Sequence, residues 1–238
     1  MILYGRNAVR EAFKSGRKIY ELYLFDNSEE TDDILAAAEK GGVKVIYKDR
    51  KEMKDVTGTD KNQGIAIRAE GFSMLALDEF LNKNRDNTKI TIAVLDDVTD
   101  PHNVGAVIRS AEVLGIDAVM LSGQTAPLND AVYKTSSGAV EYLPVIKAGN
   151  INMAMKKLKE AGFWIYGFDI TGDKSPEECE FDPRTVFIFG SEGEGMKRLV
   201  KENCDFLVKI RQAGKLDSLN ISNAATIAFY ERNRKRQV

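Results

Sequence analysis

From Ile90 onward, short apolar runs alternate with segments of helical spacing. The apolar runs are strand candidates at residues 90–95, 118–121, 140–145, 163–168, 185–189 and 206–210. Helical patterns lie between or after them, at residues 103–114, 128–136, 150–161, 196–202 and 219–234. Because neighbouring parallel strands need a crossover connection, this alternation predicts an α/β fold with a mostly parallel sheet and helices on both faces.

The first part of the chain predicts a separate, smaller α/β unit. Helical patterns cover residues 3–16, 31–40 and 49–56, and strand patterns cover residues 19–25, 43–47 and 64–69. Residues 71–89 change character, with a helical pattern at 76–84 and a polar run at 82–89. We therefore predict an amino-terminal domain at residues 1–70, a linker at 71–89 and a larger domain at 90–238.

Composition narrows the class of protein. The 238 residues are 43% apolar, which is enough for a substantial core. Cys179 and Cys204 lack metal-ligand spacing and a disulfide-rich context, and no apolar run reaches the length of a membrane span. With no apolar signal core at the start, the sequence predicts a soluble cytoplasmic protein that binds no metal.

Charge is distributed unevenly along the chain. The formal net charge is −2, yet residues 197–238 carry 10 basic and 4 acidic side chains, ending in Arg232, Arg234, Lys235 and Arg236. Such a basic tail is typical either of a phosphate-binding surface or of a solvated helix end. Charge alone does not choose between these interpretations.

One candidate site follows the strand at residues 90–95. Asn103 lies where the next helix should start, so it is either a cap or a functional group. Arg109 lies one turn after Gly105, which leaves room beside the guanidinium. His102 is the single histidine, so a histidine-based metal site is nearly excluded, and a local turn role suits it better. Trp164, within an apolar strand, is predicted to lie in the core.

Two polar turns follow later strands. The glycine order at residues 190–195 differs from a dinucleotide fingerprint, and Glu192 and Glu194 would repel a phosphate, so a cationic or hydroxyl-rich ligand suits this loop better. Ser218 and Asn220 open the last helix, where they either cap it or hold a ligand. The same helix carries small residues on one stripe, namely Ala224, Ala225 and Ala228.

Together these three stretches resemble the SpoU/TrmH family of RNA ribose 2′-O-methyltransferases, within the SPOUT superfamily. The family's first motif, N-x-G-A-x-x-R, is met by Asn103, Gly105, Ala106 and Arg109. Its second, a glycine followed by x-E-G-x-G, is met by Gly190, Glu192, Gly193 and Gly195. Its third, S-L-N-[VI]-S, is met by Ser218, Leu219, Asn220, Ile221 and Ser222. Residues 4–13 and 63–70 are similar to the L30e-like RNA-binding domain of the RlmB-like branch.

This resemblance implies a carboxy-terminal trefoil knot that binds S-adenosylmethionine, and a homodimer with active sites at the subunit interface. The matching cofactor positions are Gly190, Ile210, Leu219, Leu121 and Ser218. Arg109 would stabilise the developing alkoxide, Asn103 and Glu192 would position the ribose, and Ser218 and Asn220 would shape the pockets. RNA would be bound through Arg6, Arg10, Arg17, Lys18, Lys61 and Arg109.

The substrate implied by the branch is a guanosine of 23S ribosomal RNA. Transfer RNA, or an adenosine in ribosomal RNA, stays open because phosphate contacts carry no sequence information. A non-catalytic RNA-binding module is the alternative of a different class. A nucleotide-dependent oxidoreductase is disfavoured by the glycine order of the loop at residues 190–195.

Overall fold

The computed structural model describes residues 1–25, 31–215 and 218–236. The chain forms two compact units. An amino-terminal unit comprises Met1–Ser73 together with Leu128–Tyr142, and a larger unit comprises Met74–Pro127 together with Leu143–Val238. Among the described residues, no helix combines the length and apolar character needed to cross a bilayer.

Strands and helices alternate at the start of the chain. Their bounds are β1 (Ile2–Tyr4), α1 (Arg6–Lys14), β2 (Ile19–Leu24), α2 (Asp32–Lys40), β3 (Lys44–Tyr47), α3 (Arg50–Thr57) and β4 (Ile65–Ala69). Within the described part of this unit, the strands form one sheet in the order β1-β4-β2-β3. Strand β4 is antiparallel to β1 and β2, and β3 is parallel to β2. Apolar residues of α1 and α2, among them Val9 and Ile34, pack on this sheet.

The helical pattern predicted at residues 3–16 is wrong at its beginning, because it covers two elements. Leu3 lies in β1 and is buried, and the helix starts only at Arg6. Gly5 separates them with a φ of 94°, a conformation that favours glycine. A strand of three residues is too short to show its own period beside a longer helical one.

The remaining elements follow in chain order. They are β5 (Leu75–Ala76), α4 (Leu77–Lys83), β6 (Ile90–Asp96), α5 (Pro101–Val113), β7 (Ala118–Ser122), α6 (Asp130–Thr135), β8 (Val145–Lys147), α7 (Ile151–Glu160), β9 (Trp164–Phe168), β10 (Arg184–Phe189), α8 (Arg198–Glu202), β11 (Phe206–Val208) and α9 (Ile221–Arg236). All of these except α6 belong to the larger unit.

The larger unit is built on a parallel sheet, which confirms the predicted fold class. In the described residues the strand order is β11-β9-β10-β6-β7-β8-β5, and each pairing is parallel. Residue pairs such as Phe189 with Leu95, and Asp96 with Ser122, bring the carboxyl ends of β10, β6 and β7 level. The loops that follow these three strands therefore start from one edge of the sheet.

Helices cover both faces of this sheet. Val186 and Ile188 of β10 face one core, to which α4, α7 and α8 contribute side chains. The alternate residues Phe187 and Phe189 face the other side, where the ring of Phe229 in α9 lies 6.4 and 5.9 Å from theirs. Alternation along one strand therefore produces two cores, as expected for a sheet buried on both faces.

The strand predicted at residues 140–145 is wrong for most of its length. Ala139–Glu141 is a short 3₁₀ helix, and strand β8 begins only at Val145. Pro144 precedes β8, and its missing N–H cannot contribute to a sheet ladder. Apolar composition alone did not reveal this break.

Residues 128–142 pack with the amino-terminal unit, although they lie between β7 and β8 in sequence. Tyr133 of α6 is buried, and its hydroxyl lies 2.7 Å from a carboxylate oxygen of Glu141 and 3.1 Å from the carbonyl oxygen of Ala8. Arg17 donates to the same Glu141 oxygen at 2.6 Å. Burial, together with the hydrogen bond to Glu141, raises the pKa of Tyr133. These buried polar contacts hold the segment in place.

Trp164 does not lie in the core, so this prediction is wrong. The side chain is 47% exposed, and its ring lies 5.8 Å from that of Phe206. Trp164 is the first residue of β9, and in the described part of the sheet the outer neighbour of β9 is the short edge strand β11. An apolar run does not show whether its end lies near the edge of a sheet.

The basic residues near the end of α9 bind the protein itself, which neither interpretation of the tail predicted. Arg232 is buried and donates to the carbonyl oxygens of Phe181, Asp182 and Pro183 at 2.9–3.1 Å, and to the hydroxyl of Thr91 at 3.1 Å. Burial lowers the pKa of Arg232 to about 10. Lys235 and Arg236 also donate to main-chain carbonyls. This end of α9 is thereby anchored beside β6 and β10.

We expect Arg232→Met to lower the free energy of unfolding by about 3 kcal/mol, because three buried carbonyls would lose charged donors while the apolar stem is kept. Arg234→Met is the matched control, since Arg234 is exposed and, among the residues that the structure describes, pairs with Glu231 on the same helix. It should have a far smaller effect. Urea unfolding followed by circular dichroism measures both, and equal losses would contradict the anchoring role.

Candidate active site

Helix α5 begins with a cap from Asp100. The carboxylate of Asp100 accepts the N–H of His102 at 2.9 Å, and Pro101 occupies the first helical position. Asn103 is therefore not the cap that its position in the sequence suggested. It is the third residue of the helix, 93% buried, and its side-chain amide is available for other partners.

The loop at residues 190–195 closes on itself. Ser191 and Gly195 form an antiparallel bridge, in which the Gly195 N–H donates to the Ser191 carbonyl at 3.0 Å. A Cβ at Gly190 would come within 2.3 Å of the Gly195 backbone, and Gly193 has a φ of 91°. Glycine is thus required both for close approach and for backbone conformation, and the compact turn presents Glu192 to solvent.

Helix α9 begins after Asn220, whose side-chain oxygen caps it. That oxygen accepts the N–H of Ser222 at 2.9 Å and its hydroxyl at 2.6 Å. The NH₂ group of Asn220 is directed elsewhere. Capping and ligand positioning are therefore compatible roles for this one side chain.

The three motifs meet through hydrogen bonds between Asn103, Glu192 and Asn220, which we call the Asn–Glu–Asn cluster. Asn103 donates to Oε1 of Glu192 at 2.7 Å. Asn220 donates to the same Oε1 at 2.9 Å and to Oδ1 of Asn103 at 2.9 Å. Because Glu192 and Asn220 are exposed, a ligand can reach the cluster. A fixed carboxylate beside two amides can bind and orient a hydroxyl group.

A second contact, which the sequence did not reveal, joins the loop after β6 to the segment after the 190–195 turn. Asp97 follows β6 with a φ of 59°, accepts the N–H of Gln124 at 2.7 Å and forms an ion pair with Lys197. Lys197 and the Gln124 N–H hold the pKa of Asp97 below its usual value. An acidic residue at the end of a strand was visible in the sequence, whereas its partner 100 positions later was not.

Other charged groups lie at the same edge of the sheet. Burial raises the pKa of Asp96, the last residue of β6. Asp169, after β9, binds the ammonium of Lys201 at 2.7 Å. Burial opposes ionisation of Asp169, but the hydrogen bonds from Lys201 and Thr171 outweigh it and lower the pKa. Among the described residues no His, Cys, Asp and Glu side chains form a group that could hold a metal ion.

Arg109 is not part of the Asn–Glu–Asn cluster. It lies on α5, six residues after Asn103, which places the two side chains roughly 120° apart around the helix axis. The guanidinium is exposed, and among the described residues the structure shows no hydrogen bond or ion pair to it. Within a single chain, Arg109 therefore does not contact the Asn–Glu–Asn cluster.

The predicted cofactor positions lie along the carboxyl ends of the strands and the segment that follows them. Gly190 follows β10, Leu121 is in β7, and Ile210 follows β11. Ser218 and Leu219 precede α9, and Leu219 is 42% exposed although it is apolar. Residues 209–215 form neither helix nor strand. Apolar side chains beside irregular backbone fit the adenosyl group of S-adenosylmethionine, which needs an apolar surface and main-chain hydrogen bonds.

The residues predicted to bind RNA lie in the amino-terminal unit, apart from Arg109. Lys18 and Lys61 are exposed. Arg10 binds the carboxylate of Asp33. Arg17 is engaged with Glu141, and its guanidinium lies 4.2 Å from the ring centroid of Phe72. Arg6 donates its backbone N–H to the side chain of Gln63 at 2.8 Å. Two of the five predicted cations, Arg10 and Arg17, are therefore already paired with carboxylates.

Two family models match the chain. Residues 90–230 match the SpoU rRNA Methylase family, and residues 2–75 match the family described as RNA 2′-O ribose methyltransferase substrate binding. The first match contains all three motifs of the candidate active site.

Relatives align over nearly the whole length. The 23S rRNA (guanosine-2′-O-)-methyltransferase RlmB of Ralstonia nicotianae is 36% identical over 242 residues, covering 100% of this chain and 96% of the relative. The TrmH family protein YacO of Bacillus subtilis is 34% identical over 236 residues, covering 98% of this chain and 94% of the relative.

Solved structures share the fold. The SpoU methyltransferase AviRb from Streptomyces viridochromogenes, in complex with AdoMet, aligns with a TM-score of 0.84 at 22% identity, over 100% of this chain and 90% of that chain. The AdoMet-bound rRNA methyltransferase from Sinorhizobium meliloti aligns with a TM-score of 0.81 at 24% identity, over 100% and 87%. The chain thus belongs to the SpoU/TrmH family of RNA methyltransferases, which use S-adenosylmethionine.

Proposed function

We propose that this chain methylates the ribose 2′-hydroxyl of a guanosine in 23S ribosomal RNA. The observation that carries the 2′-O chemistry is the Asn–Glu–Asn cluster, which lies at the motif positions and can orient a hydroxyl. The match of residues 2–75 to a 2′-O ribose methyltransferase substrate-binding family supports the same chemistry. We expect the protein to work in the cytoplasm, where it would encounter ribosomal RNA.

S-adenosylmethionine, when bound, supplies an already activated methyl group on sulfur. The protein then has to orient the ribose and assist the loss of its hydroxyl proton. Glu192 would accept a hydrogen bond from the ribose, and Asn103 and Asn220 would hold the carboxylate in place. Gly190, Ile210, Leu219, Leu121 and Ser218 would hold the cofactor.

Arg109 would act through its positive charge and not as a base. A guanidinium carries a delocalised positive charge and only N–H donors, so it is a poor proton acceptor. Its fixed positive charge can stabilise the alkoxide that develops on the 2′-oxygen and can bind an RNA phosphate.

We expect Arg109→Ala to lower methyl transfer by roughly 100-fold or more, because a preorganised charge is lost at the developing alkoxide. Cofactor affinity should change little, since the cofactor positions lie in other segments. Transfer of a labelled methyl group to ribosomal RNA measures the first, and calorimetry with S-adenosylmethionine measures the second. Near-normal turnover of the variant would remove Arg109 from the mechanism.

We further propose that the protein is a homodimer whose active site is completed by Arg109 from the second subunit. Two observations support this. Arg109 lies away from the Asn–Glu–Asn cluster of its own chain, and α5 and α9 expose Val113 and Tyr230, which are 69% and 56% exposed. Of the alanine stripe of α9, Ala225 and Ala228 are buried within the chain, and Ala224 remains partly accessible to a second subunit.

Mixing two inactive variants tests this arrangement. If Arg109 and Glu192 of one site come from different subunits, Arg109→Ala mixed with Glu192→Ala after subunit exchange should regain about a quarter of wild-type activity, since half the dimers would carry one intact site. If both come from the same subunit, the mixture should stay inactive. Sedimentation velocity of each variant controls for dimer formation, and a monomer would contradict the proposal.

The choice of guanosine in 23S ribosomal RNA rests on the name of the Ralstonia nicotianae relative, at 36% identity. Other relatives, such as YacO, are named for both transfer and ribosomal RNA. A different substrate within the family is therefore the second candidate.

Mapping of 2′-O-methyl groups by mass spectrometry should find one guanosine of 23S ribosomal RNA that loses its methyl group when the gene is deleted. Wild-type protein should restore the modification, and Glu192→Ala should not, because the carboxylate of the cluster is lost. Loss of a methyl group from transfer RNA or from an adenosine would favour the second candidate. A chain that shows no heat with S-adenosylmethionine would instead be a non-catalytic RNA-binding module.

The trefoil knot implied by the family resemblance stays a prediction.

A further inference from the structure

A groove of about 800 Å³ opens in the amino-terminal unit. It lies between α1, α2 and the beginnings of β2 and β3, and we call it the α1–α2 groove. Five apolar side chains line it, namely Phe13, Ile19, Ile34, Ala37 and Val43. Phe13, Ile19 and Val43 are only half-buried, so part of this apolar surface is open to a ligand.

The same groove has a predominantly basic rim. Its charged lining residues are Arg10, Lys14, Arg17, Lys18, Asp33 and Lys40, which amounts to five cations and one carboxylate. Three of the cations are partly neutralised, since Arg10 binds Asp33, Lys14 binds Glu11 at 3.0 Å and Arg17 binds Glu141. Residues 1–70 as a whole have equal numbers of basic and acidic side chains, so positive charge is concentrated at the groove.

A simpler explanation covers part of this rim. Lys14 and Lys40 lie in the last turns of α1 and α2, where a cation is favourable beside the helix carboxyl end. Lys18 lies beyond α1, so this explanation does not extend to it, nor does it explain an open apolar floor. In the part of α9 that the structure describes, Arg232 is buried and Lys235 and Arg236 bind main-chain carbonyls, which leaves Arg234 as the exposed cation of the arginine and lysine cluster.

We propose that the α1–α2 groove binds an unpaired segment of the substrate RNA, with bases against the apolar floor and phosphates at Lys18 and Lys40. Charge complementarity selects a polyanion. The floor selects its form, because a double helix keeps its bases stacked inside, whereas unpaired bases can pack on Phe13 and its apolar neighbours. This inference rests on the proposed function, since it assigns a recognition surface to that RNA.

Binding of two probes to the full-length protein tests the groove. The probes are a fluorescent oligouridylate and a duplex of adenylate and uridylate strands of the same length. Lys18→Gln combined with Lys40→Gln should weaken oligouridylate binding roughly tenfold and reduce the slope of log affinity against log salt by about 1.4, which is about 0.7 for each lost phosphate contact. Duplex binding should change less.

The matched control is Lys51→Gln combined with Lys54→Gln, which removes two exposed lysines of α3 outside the groove. It should leave both slopes unchanged. Phe13→Leu keeps an apolar side chain but removes the ring, so it should weaken oligouridylate binding without changing the salt slope. Calorimetry with S-adenosylmethionine and urea unfolding show whether each variant is folded.

Three results would overturn the proposal: equal losses for the groove and α3 variants, equal losses for the two probes, or wild-type protein that binds the duplex more tightly than the oligouridylate. If the groove variants bind RNA normally and the wild type methylates ribosomal RNA, the RNA-binding role of the groove is wrong and the proposed activity stands. If the protein binds oligouridylate selectively through the groove but transfers no methyl group, the proposed activity is wrong and the RNA-binding role of the groove is supported.

Discussion

Hydrogen bonding at one carboxylate oxygen joins the parts of this protein that are far apart in sequence. Oε1 of Glu192 accepts both the amide of Asn103, 89 residues earlier, and the amide of Asn220, 28 residues later. These contacts require α5, the 190–195 turn and the start of α9 to lie at one edge of the sheet. The parallel strands provide that edge, because β6 and β10 are neighbours and end level with each other.

Contacts outside the cluster hold its supporting elements. The ion pair between Asp97 and Lys197 joins the same two segments as the hydrogen bond between Asn103 and Glu192. Helix α9 is capped by Asn220 at its start and anchored by Arg232 near its end, while Thr226 bonds to Ser110 of α5 at 2.8 Å between them. An active site needs such support, because orienting a hydroxyl tolerates little movement of the side chains.

The two units present different kinds of surface. Polar side chains of the larger unit converge at the ends of parallel strands, where α/β folds place their chemistry. The amino-terminal unit concentrates cations around an apolar groove, which suits a ligand with both phosphates and bases. Arg109 differs from both groups, since it is exposed on α5 and lies outside the cluster.

The order and type of most helices and strands could be read from the sequence, because apolar periodicity and glycine spacing are local properties. The family was recognised from the resemblance of the three motifs, which are themselves short stretches of sequence. The strand at Leu3, the exposure of Trp164 and the cap by Asp100 could not, since each depends on neighbours outside the local pattern. Contacts of charged side chains with distant partners were decided only by tertiary structure. Examples are the ion pair of Asp97 with Lys197 and the hydrogen bonds of Arg232 to the carbonyls before β10. A sequence states which groups are present, whereas burial and distance determine which of them meet.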